Sequence, residues 1–227
     1  MSTPSLTTRA RRSLLRSLAV QGTVLFLCAG SLGYGRAWLY LAFTTVSTLA
    51  TNAYLMRSNR SLLERRLAAE GQGETERIQR LFFALLRIVG LVMLAVAGLD
   101  RRFGWSSVSP WIAACAYLVL CIGWVVVVLV FRENAHGSSV IEVTEEQRVI
   151  ASGPYRWVRH PMYTGFLLMI AATPLALGSF YAQLLVPLII GLFVMRMVAE
   201  ERFLAARLSG YTNYLHTTRK RLLPWVW

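Results

Sequence analysis

The stretch Pro110-Trp-Ile-Ala-Ala-Cys-Ala-Tyr-Leu-Val-Leu-Cys-Ile-Gly-Trp-Val-Val-Val-Val-Leu-Val-Phe131 contains no charged side chain. As a helix it is about 33 Å long, enough to cross a hydrocarbon core of about 30 Å. Further apolar runs flank it at Leu14–Tyr34, Ala37–Met56, Leu81–Leu99, Pro161–Leu177 and Phe180–Ala199. Of the 227 residues, 56% are hydrophobic and only 15% charged, with a mean hydropathy of +0.49. So few charges cannot solvate a globule of this size. The expected fold is all-α: a polytopic transmembrane helical bundle of about six spans. Disorder, collagen-like repeats and a disulfide-stapled secreted scaffold are excluded.

The basic residues orient that bundle. The formal net charge is +13. Four basic side chains, Arg9, Arg11, Arg12 and Arg16, mark the N-terminal tail, six lie in Arg57–Arg80, four in Arg132–His160 and five after Glu201; the opposite loops hold Arg36, Arg101 and Arg102. A bias of nineteen against three predicts that both termini and both long polar loops face the cytoplasm. The basic N-terminal segment with Arg11-Arg12 resembles a signal peptide, but Leu27 before Cys28 forms no lipoprotein cleavage site and further spans follow, so an uncleaved anchor is expected. The charge is assigned to topology and to anionic membrane lipids, with no nucleic-acid partner. Residues 1–131 then form four spans with a cytoplasmic loop at 57–80, broken at Gly71-Gln72-Gly73; residues 132–227 form a second region of loop, helical hairpin and basic tail. Pro174 and Pro187 should kink the two hairpin arms.

Cys28, Cys115 and Cys121 all sit in apolar runs, and the three scattered histidines, His136, His160 and His216, make no zinc site, so no metal is expected. A phosphate loop, a nucleophile elbow and a dinucleotide fingerprint are all missing.

Two cytoplasmic segments carry unusual residue choices. In the first, Arg148 to Gly165, His160-Pro161 should open the fifth span, because proline disfavours the helical region for the residue before it and suits the first helical position. That helix mouth, with Arg156 and Arg159, would attract an anion such as a ligand carboxylate. Tyr, Trp, Arg and His are equally common as headgroup-depth anchors, and periodicity does not separate the two readings. In the second segment, Arg196 and Glu200 share one helix face, either as an ion pair or as two ligand contacts. The adjacent carboxylates Glu200 and Glu201 are costly at the end of an apolar span unless water or a partner meets them, and a bound cation would be one partner. Arg87, inside the third span, is read as snorkelling to the interface or meeting an anionic group.

Gly153-Pro154-Tyr155, Arg159-His160-Pro161-x-Tyr163-x-Gly165 and Arg196-x-x-x-Glu200-Glu201 together resemble the isoprenylcysteine carboxyl methyltransferase family, with a similar outline in membrane phosphatidylethanolamine N-methyltransferases. The likeness runs from about Gln147 through Gly210-Tyr211-x-x-Tyr214 to Leu223-Pro224; the first four spans match only as apolar helices. It implies an integral-membrane methyltransferase using S-adenosylmethionine in a cytoplasmic pocket built by the C-terminal half. By resemblance, Gln147, Arg148, Val149 and Ile150 would line the adenosine side of that pocket. Tyr155, His160, Pro161, Met162 and Tyr163 would continue it, Glu200 would contact the cofactor, and Arg196 would face the carboxylate of a lipophilic small-molecule substrate. Arg196 and Glu200 would then be the catalytic pair. Two departures stand out: Val140 occupies the place of an upstream glutamine, and the family's Pro-Ser-Tyr is Pro-Met-Tyr here.

The most favoured reaction is carboxyl O-methylation of an isoprenylcysteine-like or other lipidic acid, in a protein of the bacterial inner membrane. Methyl transfer from a sulfonium needs neither a metal nor a covalent intermediate, only an in-line nucleophile with water excluded. A carboxylate needs no general base, whereas an amine acceptor would first have to lose a proton. Phospholipid or amine N-methylation, a membrane sterol or lipid reductase taking a nicotinamide cofactor, and a non-catalytic lipid-binding protein are the competing readings.

Overall fold

The computed structural model describes residues 5–69, 77–134 and 149–223. Every regular element among them is helical: α1 (Leu6–Ala29), α2 (Gly35–Ser58), α3 (Arg60–Ala69), α4 (Arg77–Phe103), α5 (Pro110–Glu133), α6 (Pro161–Leu177), α7 (Val186–Arg207) and α8 (Tyr211–Thr217), with 3-10 turns at Gly153–Arg156 and Ala182–Leu185. The Gly71-Gln72-Gly73 break lies outside the described residues.

Local chemistry sets the helix ends. α1 begins at Leu6 instead of Leu14 because the Ser5 side chain accepts the Thr8 N–H at 3.3 Å; it stops where Gly30 turns left-handed at φ 64°. α5 starts on Pro110, and the Ser109 hydroxyl accepts the Ile112 N–H at 3.3 Å. Pro174 lies inside α6 as expected. Pro187 lies in its arm but in the first turn of α7, which begins at Val186 directly after the 3-10 turn, so its missing N–H removes no interior bond of α7.

Among the described residues, three helical segments are long and apolar enough to cross a membrane: Arg80–Phe103, Pro110–Glu133 and Ala182–Arg207. α6 is a shorter apolar helix of 17 residues. α1 and α2 have 24 residues each but carry basic or hydroxyl side chains along their length.

α6 is held by direct backbone contact with α5. A Cβ on Gly123 would lie 2.7 Å from the Gly165 carbonyl, and one on Gly165 would lie 2.8 Å from the Gly123 carbonyl. Only glycine permits that approach, and so Gly165 of the sequence motif is explained by packing. A core of Leu25, Met93, Ala97, Ile189 and Phe193 joins α1, α4 and α7.

At the C-terminal end of α6 a buried carboxylate fastens α4 to the α6–α7 turn. Asp100 accepts from the Ser106 N–H at 2.7 Å and from the hydroxyls of Ser106 and Ser179, each at 2.5 Å. Those hydroxyls accept in turn from the N–H groups of Phe180 and Ala182 at 3.0 Å. The Tyr34 hydroxyl adds a 2.6 Å bond to the Leu177 carbonyl.

Candidate cofactor and acceptor site

The N-terminal end of α6 carries the motif residues. Pro161 fixes the first helical position, and His160 precedes it at φ −123°, ψ 60°. The chain after α8 doubles back along this junction: Arg159 and His160 donate their N–H groups to the carbonyls of Lys220 (2.8 Å) and Arg221 (2.9 Å). The Thr164 hydroxyl donates to the Leu222 carbonyl at 2.6 Å. The tail is therefore part of the site's wall.

Glu201 is the hub of this wall. One carboxylate oxygen meets Arg159 Nε at 2.7 Å and His160 Nε2 at 3.1 Å; the other meets Arg221 Nε at 3.1 Å. A carboxylate can only accept, so His160 presents Nε2–H to it. Glu201, His160 and Arg159 are at most 9% exposed at their side chains. Paired, the buried charges are tolerable; alone, none would be. The sequence reading directed Arg156 and Arg159 toward a ligand anion. Instead Arg159 meets an anion of the protein itself, and Arg156 lies over the Trp157 ring at 4.9 Å.

Glu200 lies about 100° further round α7 and faces a different group. The Tyr163 hydroxyl donates to Glu200 Oε2 at 2.5 Å and accepts from Arg196 Nε at 3.0 Å. Tyr163 thus bridges the Arg196–Glu200 face of α7 from α6. Its ring stacks on His160 with centroids 5.4 Å apart and planes 10° apart, and meets Phe193 edge-on at 5.3 Å. Arg196, 8% exposed, places its guanidinium carbon 4.8 Å from the ring centres of both Phe82 and Phe83 of α4.

The remaining candidates spread around this centre. The Tyr155 hydroxyl accepts from Asn134 Nδ2 at 2.9 Å, its carbonyl accepts from the Tyr214 hydroxyl at 2.8 Å, and burial pushes its phenol up to about 12, so it stays protonated. Burial likewise pushes the Tyr214 phenol up to about 12. Val149 packs on the Leu208, Tyr211 and Tyr214 cluster beside α8, and Ile150 is half-buried next to it in the chain. Met162 turns the other way, onto the cluster of Leu6, Leu55 and Phe131. Gln147, Arg148 and Val140 lie outside the described residues. Among the described residues no group of three or more His, Cys, Asp or Glu side chains could hold a metal ion.

His160, Tyr163, Arg196 and Glu200 are therefore joined in one continuous set of contacts on α6 and α7. Residues 112–206 match the model of the Isoprenylcysteine carboxyl methyltransferase (ICMT) family. The resemblance drawn from the motifs is borne out over that segment, and the match implies a membrane methyltransferase. The ICMT match covers nearly all of α5, all of α6 and α7 up to its last residue, and so includes every member of the joined set. It leaves out α1–α4, α8 and the tail that pairs with Arg159 and His160. No curated protein matches the chain.

Sequence reasoning named Glu201 only as one of two costly adjacent carboxylates and as a motif member, without its partners, and it assigned no role to Arg221, Asn134, Phe82 or Phe83. For Glu201 the signal was present: two adjacent carboxylates on a helix point about 100° apart, so each needs its own partner. For Phe82 and Phe83 there was none, since two phenylalanines in an apolar span read as lipid-facing or core.

Proposed function

We propose that this protein is an S-adenosylmethionine-dependent methyltransferase that transfers a methyl group to the carboxylate of a lipophilic acid, as the isoprenylcysteine resemblance implies. The supporting observation is the Arg196–Tyr163–Glu200 chain of hydrogen bonds beside the stacked His160 ring. It sets a cation and an anion on one helix face with a phenol between them, and that donor set suits the two reactants. Glu200 and the aromatic faces of Tyr163 and His160 complement a cationic sulfonium. Arg196 complements a carboxylate through paired hydrogen bonds.

Bound S-adenosylmethionine supplies an electrophilic methyl group at its sulfonium. The protein's own residues bind and orient. Tyr163 holds the Arg196 and Glu200 side chains at a defined separation, and Glu201 locks His160 and the returning tail so that this geometry is in place before any ligand arrives. The acceptor carboxylate is already ionised, so no side chain in the set is required as a general base. By resemblance, Val149, Ile150 and Tyr155 would line the approach from the loop side together with Gln147, Arg148 and Pro161, whereas Met162, which the resemblance also includes, packs on the Leu6, Leu55 and Phe131 cluster. In this reading the bundle has about six spans, both termini are cytoplasmic, and the pocket opens to the cytoplasm of a bacterium while the acceptor's apolar end lies among membrane lipids.

Titration calorimetry of the purified protein tests this directly. Binding of S-adenosylmethionine and not of NADPH is expected; NADPH binding alone would replace the reading with a reductase, and binding of neither would leave a lipid-binding protein. Glu200→Ala should abolish S-adenosylmethionine binding without unfolding the chain. Arg196→Ala should keep cofactor affinity and lose turnover of an acid acceptor; normal turnover would refute its role.

A further inference from the structure

Arg196 is a cation held almost out of solvent, and the geometry around it brings in a part of the chain that the ICMT match does not reach. Phe82 and Phe83 come from the lower part of α4, well before residue 112, and both rings meet the Arg196 guanidinium at 4.8 Å. Their placement is not loose. Phe82 is 9% exposed and stands edge-on to two further rings, Phe83 at 5.1 Å and 76° and Phe193 at 5.5 Å and 89°. Phe193 in turn meets Tyr163, the residue that binds Arg196 Nε. The guanidinium is thus seated between a phenol oxygen and two phenyl rings, in contact with an aromatic array that continues into the α1–α4–α7 core.

The two kinds of contact at the two acidic–basic groups differ in what they demand. Around Glu201 the cations use N–H donors on a carboxylate. Attraction to a ring face draws on the positive charge as a whole and needs no N–H donor, so it does not compete with a carboxylate that binds the guanidinium edge. It also compensates the lost hydration of a buried cation without neutralising it. Ring contacts of this kind orient the guanidinium plane and leave the sign of its charge unchanged.

We propose that Phe82 and Phe83 are positioning residues: they hold Arg196 in orientation and in charge for the acceptor's carboxylate, so that α4 of the N-terminal half is part of the acceptor site. This rests on the proposed methyltransferase reading. It assigns a function to a helix that family resemblance covers only as an apolar span.

The test uses the full-length protein purified in detergent, with N-acetyl-S-farnesylcysteine as the acid probe and its methyl ester as the uncharged control. Phe82→Leu and Phe83→Leu should each raise the KM of the acid by about tenfold, with kcat, the Kd for S-adenosylmethionine and inhibition by the methyl ester all within about twofold of wild type. Replacement of Phe83 by 3,4,5-trifluorophenylalanine, which keeps the ring's shape and drains its face of negative charge, should raise the acid KM likewise; this variant decides the matter if a leucine variant does not fold. An unchanged acid KM in a turning-over enzyme overturns the proposal while the methyltransferase reading stands. Equal weakening of acid and ester also overturns it, because it marks ordinary packing. A wild-type protein that binds no S-adenosylmethionine sinks the function reading, and this proposal with it.

Discussion

A carboxylate is buried at each end of α6, and the two are satisfied in opposite ways. Asp100, 1% exposed, is met by two serine hydroxyls and a backbone N–H. Glu201, 7% exposed, is met by two guanidinium groups and an imidazole. α6 has 17 residues, so the two groups are separated by about 25 Å along the bundle. At the Asp100 end, neutral donors close a turn and fasten helix ends; hydroxyls are small, short-ranged and unable to attract a distant ligand. At the Glu201 end, charged partners draw together three segments far apart in sequence: the loop before α6, the end of α7 and the chain after α8. Concentrated charge is kept where chemistry is proposed, and neutral hydrogen bonding is used where only fastening is needed.

The contrast can be broken from its strongest side first. Glu201→Ala would strand Arg159, His160 and Arg221 without their common anion, and should destabilise the protein by about 3–5 kcal/mol, the range for breaking a buried ion pair. Thermal unfolding in detergent reads this, and S-adenosylmethionine binding should be lost with it. Asp100→Ala should cost about 2–3 kcal/mol, because it leaves two hydroxyls and one N–H without an acceptor. Its cofactor affinity should remain at the wild-type level below the melting temperature; a parallel loss of binding would show that the ends are coupled and the division of labour is wrong. Smallest of the three, Ser179→Ala removes one of the three donors to Asp100 and should cost about 1 kcal/mol. Combined with Glu201→Gln, it should add within about 0.5 kcal/mol, as expected for sites so far apart. A larger coupling would mean that strain passes along α6.

The legibility of these regions follows how local their causes are. The five apolar runs around Pro110–Phe131 announced helices because each needs only its own residues, and α4, α5, α6 and α7 lie close to the expected places. Ends were less legible where a single side chain decides: Ser5 moved the start of α1 to Leu6, and the 3-10 turn at Ala182–Leu185 delayed α7 so that Pro187 fell in its first turn. His160, Tyr163, Arg196 and Glu200 were named in advance from their motifs and are found joined. Which atom meets which was not legible. Arg159 turned to Glu201, Tyr163 entered between Arg196 and Glu200, and Met162 turned away to the Leu55 cluster.

Composition and periodicity alone determined an all-helical, strongly apolar chain, and the two motif segments alone marked where its chemistry is proposed, because burial of a helix and the identity of reactive side chains are properties of contiguous residues. The division of the adjacent carboxylates, Glu201 to a clasp of cations and Glu200 to Tyr163, was decided only when α6, α7 and the tail came together. So was the seating of Arg196 on Phe82 and Phe83, more than a hundred residues earlier in the chain. Desolvated charges take whatever compensating partner the packing brings within about 3–5 Å, and only the tertiary structure sets which partner that is.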